Sequence, residues 1–505
     1  MAKTGLFTPD PHTNEVNFKA LQTELVQQFE REFPDPMAPK TVIVIPSQTL
    51  DQEILAKVTG INHYEERLLC LLMLLRMPRT HMIYVSSTPI DKAIVDYYLH
   101  QLPGVTPRHA RQRLTLLSCH DAAPRSLTEK ILARPRLMEK IRAAIPPGHV
   151  AHIAGFNVTW LEHELALKLG VPHYGCPAWL NYWGTKSGSR EVFREAGLPM
   201  PDGYEKLRDM RDVALALREL AHENPGLRKA VVKVNDGFSG DGNAIYSFEK
   251  HGTRPDEDTL RAHLCLVAGD MSYDVFAEKM EAMEGVAEVF VEGSEKTSPS
   301  VQCRVTPPLQ IEVVSTHDQM LGGECQQVYI GATFPANRAY SCEIGEMGRR
   351  VAEVLVKKGV IGRFGIDFIS VKEPGGWWNH YALEINLRKG GTTHPYLMLQ
   401  FLTNGFYDYQ TGIYHTPNSQ ERYYFATDGL RSEAYKGLTP DDLLDIAICN
   451  GLHYDATTQE GVVFHLLGAL SQHGKLGTVC IGATPEKAQE FYQKTVEVLD
   501  RETRV

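Results

Sequence analysis

Four residues between positions 367 and 388 have the types and spacing needed to hold a divalent cation beside an anionic group. Glu384, Asn386 and Arg388 alternate along HYALEINLR (from His380), so on an extended strand their side chains leave one face. Asp367 lies in the preceding run, RFGIDFISVK (from Arg363). The turn EPGG (from Glu373) folds the two runs into an antiparallel hairpin that can set Asp367 opposite them. Two carboxylates and an amide oxygen make an all-oxygen set suited to Mg²⁺, which keeps its other positions for water and phosphate. Arg388 continues the parity and adds a cation. The same pattern also fits a solvated polar sheet face, although that face would then expose charge amid an aromatic, apolar hairpin.

A second group lies upstream, where the strand KAVVKVN (from Lys229) runs into DGFSGDGN (Asp236 to Asn243). Gly237, Gly240 and Gly242 permit positive φ and let backbone N–H groups close over an anion. The loop joins two extended segments and contains no Gly-Lys-Ser/Thr, which excludes a Walker A loop. Taken alone, it also reads as an ordinary hairpin turn, and Lys233 as a solvated edge lysine.

These residues need elements to position them. The runs TVIVIPS (from Thr41), MIYVSS (from Met82), RLTLLSC (from Arg113) and HVAHIAG (from His149) read as buried strands, with a helix over about 64–75. Their alternation predicts a βαβ layout with a parallel sheet. Residues 1 to about 40 are polar and proline-rich, and read as a loosely packed arm. Helices are expected over 187–196, 207–221, 271–284, from about Glu343 to Gly359, and over 485–499. No GxGxxG follows any strand, so a dinucleotide-binding reading has no motif behind it.

Composition narrows the class of function. The 505 residues are 43% hydrophobic and 23% charged, ordinary globular values that suggest about three domains. A net charge of −10 excludes a general attraction for nucleic acid or anionic membrane. No secretory signal or membrane-spanning run is visible. Nine scattered cysteines without a CxxC pair read as reduced thiols of a cytoplasmic protein, with a catalytic cysteine as the minor alternative.

Taken together, the chain resembles the ATP-grasp carboxylate–amine ligases, and within them the peptide ligases related to the pheganomycin-pathway enzyme. The resemblance runs from about residue 40 to the end. It implies an α/β fold class: a parallel-sheet pre-ATP-grasp domain over 1–180, an α+β ATP-grasp unit over 181–420 with a lid at about 198–286, and a small C-terminal α/β domain over 421–505. It implies an ATP site made by Lys186, which precedes AGLPMP, by Lys233, and by the flap residues Gly237, Ser239, Gly240 and Gly242. In EVFVEGSE, Glu288 and the backbone at Val289 and Val291 are implied to meet the base, and Glu295 the ribose. Asp367, Glu384 and Asn386 are the implied metal ligands, for one or two Mg²⁺ with Mn²⁺ as an alternative. Arg388 and Lys233 are the implied catalytic cations. Gly391, Thr392 and His394 resemble the subgroup's substrate-side loop, and the triplet His317-Asp318-Gln319 is either substrate-side or a turn. An anionic Asp241 among the flap glycines departs from an ideal phosphate loop.

The resemblance implies an ATP-dependent ligase that joins a small carboxylate substrate to an amine or peptide through an acyl phosphate, in secondary metabolism, with a homodimer possible. A phosphotransferase on the same scaffold and a non-catalytic nucleotide-binding module are the alternatives. The four residues at 367, 384, 386 and 388 argue against the second of these, because binding alone does not require them all.

Overall fold

The computed structural model describes residues 11–49, 58–237, 242–268, 271–322 and 328–504. Strands β1 (Lys40–Ile45), β2 (Thr80–Ser86), β3 (Leu114–Ser118), β4 (Val150–Gly155) and β5 (His173–Tyr174) form a parallel sheet in the order β3-β2-β1-β4-β5. β1 is buried along its whole length, as a central parallel strand covered on both faces must be. The apolar run at 68–75 belongs to a 3₁₀-type helix, Ile61–Arg76, with Leu68, Leu69, Leu72 and Leu75 in the core.

The polar arm expected at the start of the chain is in part a helix, Pro11–Arg31. Phe18, Leu21 and Leu25 recur at three- and four-residue intervals, and Phe18 and Leu25 are buried. Of the prolines that suggested an arm, Pro11 begins the helix and Pro34 and Pro36 lie beyond its end, where they do not interrupt it.

A second, antiparallel sheet contains β6 (Gly203–Leu207), β7 (Lys229–Val234), β8 (Asn243–Ser247), β9 (Cys265–Leu266) and β10 (Gly285–Val289), in the order β6-β10-β7-β8-β9. Helices Met210–Glu223 and Tyr273–Met283 contribute Val213, Leu217, Phe276 and Met280 to a core of its own, with Val232 and Tyr246 from the strands. This small core falls within the segment expected to form the lid, about 198–286.

The third sheet has eight strands. β11 (Lys296–Val305), β12 (Ile311–Gly322), β13 (Val328–Phe334), β14 (Gly362–Lys372) and β15 (Trp378–Asn386) are followed by a separate hairpin, β16 (Phe406–Asp408) with β17 (Ile413–His415). β18 (Tyr423–Arg431), β19 (Gly461–His465) and β20 (Lys475–Gly482) then rejoin it, giving the order β15-β14-β11-β12-β13-β18-β20-β19. The segment read as a small C-terminal domain therefore adds its strands to the central sheet, through β13 pairing with β18. Sequence alone does not say which edge these strands join. One apolar core joins Val42 and Leu72 of the first sheet's layer to Tyr424, Phe464 and Val479. The two ends of the chain are thus packed together.

Candidate active site

The hairpin of β14 and β15 carries the acidic residues as its spacing predicts, with one adjustment. Asp367 pairs in register with Glu384 and Gly365 with Asn386, but Phe368 pairs with Ala382, so Leu383 is an extra residue in β15. This bulge re-aims the strand at the functional residues, a common place for one. Gly365 lies opposite Asn386, and a Cβ there would meet nothing within 4 Å, so the surface in front of the carboxylates is open.

Helix Lys186–Glu195 meets this surface end-on. Thr185 caps it by accepting from the Gly188 N–H at 3.0 Å. Asn235, the residue after β7, holds the same end: its side-chain oxygen accepts from the Ser187 N–H at 2.9 Å, and its carbonyl from the Lys186 N–H. Ser189 in turn accepts from the Ile385 N–H of β15 at 2.9 Å. One helix turn therefore ties the base of the glycine-rich loop to the acidic strand and delivers Lys186 onto Glu384, with which it forms an ion pair.

Around that pair the groups are in direct contact. Asn386 donates its Nδ2 to Asp367 at 2.9 Å and to Glu384 at 3.2 Å, and Gln319 donates to the other Asp367 oxygen at 2.6 Å. Burial and the neighbouring Glu384 charge push Asp367 up to about 7. Burial also opposes charge on Glu384, but the adjacent Lys186 outweighs it and brings Glu384 down to about 2. Lys186 thus favours the ionised form of Glu384, while burial and the Glu384 charge disfavour that of Asp367. Arg388, at the same wall, is lowered by burial and held charged by Glu384 and Asp367.

Lys233 sits on the lid side. It donates to Glu288 at 2.6 Å, diagonally across the pairing of β7 with β10. The other Glu288 oxygen accepts from Arg190 at 2.7 Å, and Arg190 also donates to the carbonyls of Pro201 and Gly203. Burial opposes the Glu288 charge, but Lys233 and Arg190 together hold its carboxylate below the usual range.

Lys186, Lys233, Glu288, Gln319, Asp367, Glu384, Asn386 and Arg388 line one cavity of about 1190 Å³ between the five-stranded antiparallel sheet, the eight-stranded sheet and helix Ile61–Arg76. Of the residues chosen from sequence, Lys186, Lys233, Gly237, Glu288, Val289, Val291, Asp367, Glu384, Asn386, Arg388, Gly391 and Thr392 line it. Ser239 and Gly240 lie outside the described residues. Gly242 has φ +87°, and a Cβ there would come within 2.4 Å of Val234, so the turn beneath the loop requires glycine. Glu295 does not line the cavity; it pairs with Lys372 at 3.1 Å on the exposed side. His394 is buried behind the wall beside Asp428, and burial and the neighbouring His465 bring it down to about 3, so it is neutral. Of the triplet at 317–319, His317 is buried against Tyr424, whereas Asp318 and Gln319 reach the cavity.

Several lining residues have no signal in the sequence: Tyr64, Arg67, Tyr329, Asp428 and Lys475 come from distant segments. Arg190 had one, since it lies four residues after Lys186 on the same helix. His394, Asp428 and His465 bring ligand atoms within 4.8 Å of one another. Arg67, however, forms an ion pair with Asp428 and balances its charge without an ion.

An α/β molecule in which a parallel sheet, a five-stranded antiparallel sheet and an eight-stranded sheet bring an acidic hairpin and two lysines to one cavity has the architecture of an ATP-grasp enzyme. The chain belongs to the ATP-grasp carboxylate–amine ligases, and it is an ATP-using enzyme that forms C–N bonds. It is 30% identical over 472 residues to the L-propargylglycine--L-glutamate ligase of Streptantibioticus cattleyicolor, covering 91% of this chain and 94% of that one. Residues 177–253 and 258–410 match the family described as IQCH-like, ATP-grasp, and residues 442–495 match the PGM1 C-terminal domain. The IQ motif-containing protein H of Danio rerio is 20% identical over 518 residues, 92% of this chain, and the chain spans about half of that protein (49%). Among solved structures, the biotin carboxylase of Campylobacter jejuni in its β-γ-ATP complex has a TM-score of 0.55, covering 92% of this chain and 95% of that one at 13% identity. The biotin carboxylase domain of the Hydrogenobacter thermophilus 2-oxoglutarate carboxylase, also 13% identical, has a TM-score of 0.54 over 91% of this chain and 89% of its own. At that identity these two share the fold. No helix among the described residues is long and apolar enough to cross a membrane.

Proposed function

We propose that the enzyme activates a carboxylate of one amino-acid-like substrate as an acyl phosphate and joins it to the amine of a second, with L-glutamate and a small apolar amino acid as the first pair to test. The observation that carries this reading is the convergence of Lys186, Asp367, Glu384, Asn386 and Arg388 on one cavity wall opposite Lys233. In this reading the base lies against Val289 and Val291, while Glu295, paired with Lys372 outside the cavity, takes no part. Lys186 and Lys233 meet the phosphates, with Gly237 beside them. Gly391 and Thr392 face the substrate, and His394 supports that loop from behind.

Asp367, Glu384 and Asn386 fit Mg²⁺: their donors are all oxygens, they already touch, and Glu384 carries a full charge that Lys186 now neutralises. Bound there, one or two Mg²⁺ supply charge stabilisation to the phosphates. The chain's own contribution is positional. ATP draws Lys186 and Lys233 away from Glu384 and Glu288 toward its phosphates, and Arg190 keeps Glu288 satisfied when Lys233 leaves it. The first substrate's carboxylate attacks the γ-phosphate, and ADP departs. The amine then attacks the acyl carbon while Arg388 stabilises the oxyanion, and phosphate leaves. Closure of the lid excludes water from the acyl phosphate. Free thiols at every described cysteine support a cytoplasmic location.

The test is ADP release with pairs of amino acids, together with hydroxylamine trapping of the activated acid. Release that needs both partners, and a hydroxamate formed from one of them, is the expected result. A stable phosphorylated product formed without any amine overturns the ligase reading in favour of a phosphotransferase.

A further inference from the structure

One wall of the cavity carries charges for which the ligation chemistry above has no use. Arg67, on helix Ile61–Arg76, pairs with Asp428 of β18 across 361 positions of sequence. The other Asp428 oxygen accepts from His465 Nε2 at 2.5 Å, and His394 Nε2 lies 3.5 Å from it. Lys475, on β20, donates to the Tyr64 hydroxyl at 2.6 Å. The guanidinium of Arg67 and the ammonium of Lys475 both lie over the Tyr64 ring, at 4.2 and 4.9 Å from its centre. All four of Tyr64, Arg67, Asp428 and Lys475 line the same cavity as Arg388 and the acidic hairpin.

The balance of this wall is one cation too many. Asp428 neutralises one of the two: burial opposes its charge, but Arg67 and the hydrogen bonds from His394 and His465 outweigh that and hold the carboxylate well below its usual range. Glu66, the nearest other carboxylate on the helix, is committed elsewhere, accepting from the Gly468 N–H at 3.1 Å and facing His63. Arg67 is also under-used. Its side chain is nine-tenths buried, one amino group serves Asp428, and its Nε has no hydrogen-bond partner among the described residues. A guanidinium offers five donors in a planar fork that matches a carboxylate, and leaving such donors unmet in a buried position is costly. Asp428, gripped by His465 and flanked by His394, fixes the orientation of that fork. Tyr329 completes the wall by covering Gly391, where a Cβ would come within 2.8 Å of the ring.

We propose that Arg67 and Lys475 form a seat for a substrate carboxylate that does not react, with Asp428 and His465 as positioning residues behind Arg67. This rests on the ligation reading and narrows it. At least one substrate is a free amino acid, held by a carboxylate that survives into the product, so that its reacting group is directed toward Arg388. A simple amine, or an amino acid whose free carboxylate is capped, lacks this hold.

The test compares free L-amino acids with their α-carboxamides, which keep the size and lose the charge. Each is assayed with saturating ATP in the wild type and in Arg67→Gln, Lys475→Met and Asp428→Asn. In the wild type, the acid is expected to exceed the carboxamide at least 30-fold in kcat/KM. Arg67→Gln should remove at least tenfold of that preference through KM for the acid, with KM for ATP within twofold of wild type. Asp428→Asn should raise KM for the acid and leave that for the carboxamide unchanged, which a merely structural defect would not do. If Arg67→Gln fails to fold because Asp428 is left unpaired, the double variant Arg67→Gln/Asp428→Asn removes both charges and serves instead. Equal use of acid and carboxamide by the wild type, or full preference retained in Arg67→Gln, overturns the seat. If no pair of amino acids yields ADP, the ligation reading falls. The seat is then judged by the unfolding-temperature shift that L-glutamate and its α-carboxamide give with a non-hydrolysable ATP analogue, and equal shifts overturn it.

Discussion

At the Lys233 end of the cavity, charges are matched within neighbouring elements, whereas at the Arg67 end they are assembled from segments hundreds of residues apart. Lys233 and Glu288 sit on paired strands, and Lys186 reaches Glu384 from a helix hydrogen-bonded to the strand that carries it. Arg67, Asp428 and Lys475 come instead from the first layer and the last strands, and only the shared core brings them together. The difference teaches that the Lys233 end is held by direct strand and helix pairing, while the Arg67 end depends on the first and last segments of the chain being folded together.

Four perturbations break or sharpen that contrast. The largest effect is expected from Glu384→Gln, which removes the anionic ligand at the centre of the local end. Turnover should fall by about 10³-fold or more, since metal-assisted charge stabilisation is worth several kcal/mol. Circular dichroism should show the fold intact, and normal ADP release from this variant would refute the metal assignment. Next is Glu288→Gln, which leaves Lys233 and Arg190 buried without their shared carboxylate. Breaking a buried pair in this way costs about 3 kcal/mol. Urea unfolding should show that loss, and an unchanged midpoint would mean that the pair contributes little to the lid.

The third probe acts on the helix that carries Arg67. Burial raises Glu65 to about 7, while its carboxylate accepts from the Ser87 N–H at 2.7 Å and its hydroxyl at 2.5 Å. Because the folded state holds this proton more tightly than the unfolded state, stability declines as pH rises from about 4.5 to 7 and levels off above that. Glu65→Gln should remove up to about 1.4 kcal/mol per pH unit of that slope in the same window. A pH profile parallel to wild type would exclude Glu65 as the titrating group. The smallest effect is expected from Glu295→Ala, whose exposed pairing with Lys372 contributes little to stability. Thermal unfolding should be nearly unchanged and KM for ATP should stay within about twofold of wild type, because Glu295 does not line the cavity; a larger rise would bring Glu295 into the nucleotide site.

How much was legible in the sequence follows the same division. The Asp367/Glu384/Asn386 face was readable because strand parity and a Pro/Gly turn fix it locally, and Lys233 because a glycine-rich turn follows it, whereas Arg388 lies past the end of β15 and reaches the same cavity from a bend, not by the parity expected of it. The extra residue Leu383 was not, since parity from Glu384 onward is unaffected by it. The helix at 11–31 was obscured by its flanking prolines, although Phe18, Leu21 and Leu25 carried its period. His394 could be found by motif but not oriented, because only the position of Asp428 shows that it faces inward. Arg67 and Asp428 are an ordinary arginine and aspartate in sequence, and nothing within twenty residues of either marks the other.

The continuation of the central sheet through β13 into β18 has a bearing on how this chain can be cut. A fragment ending near residue 420 would strip β13 of its neighbour and leave the strand edge from Gly331 to Phe334, now paired with β18, facing solvent. Such an uncovered edge is a template for intermolecular strand addition, so aggregation is the expected fate of that fragment.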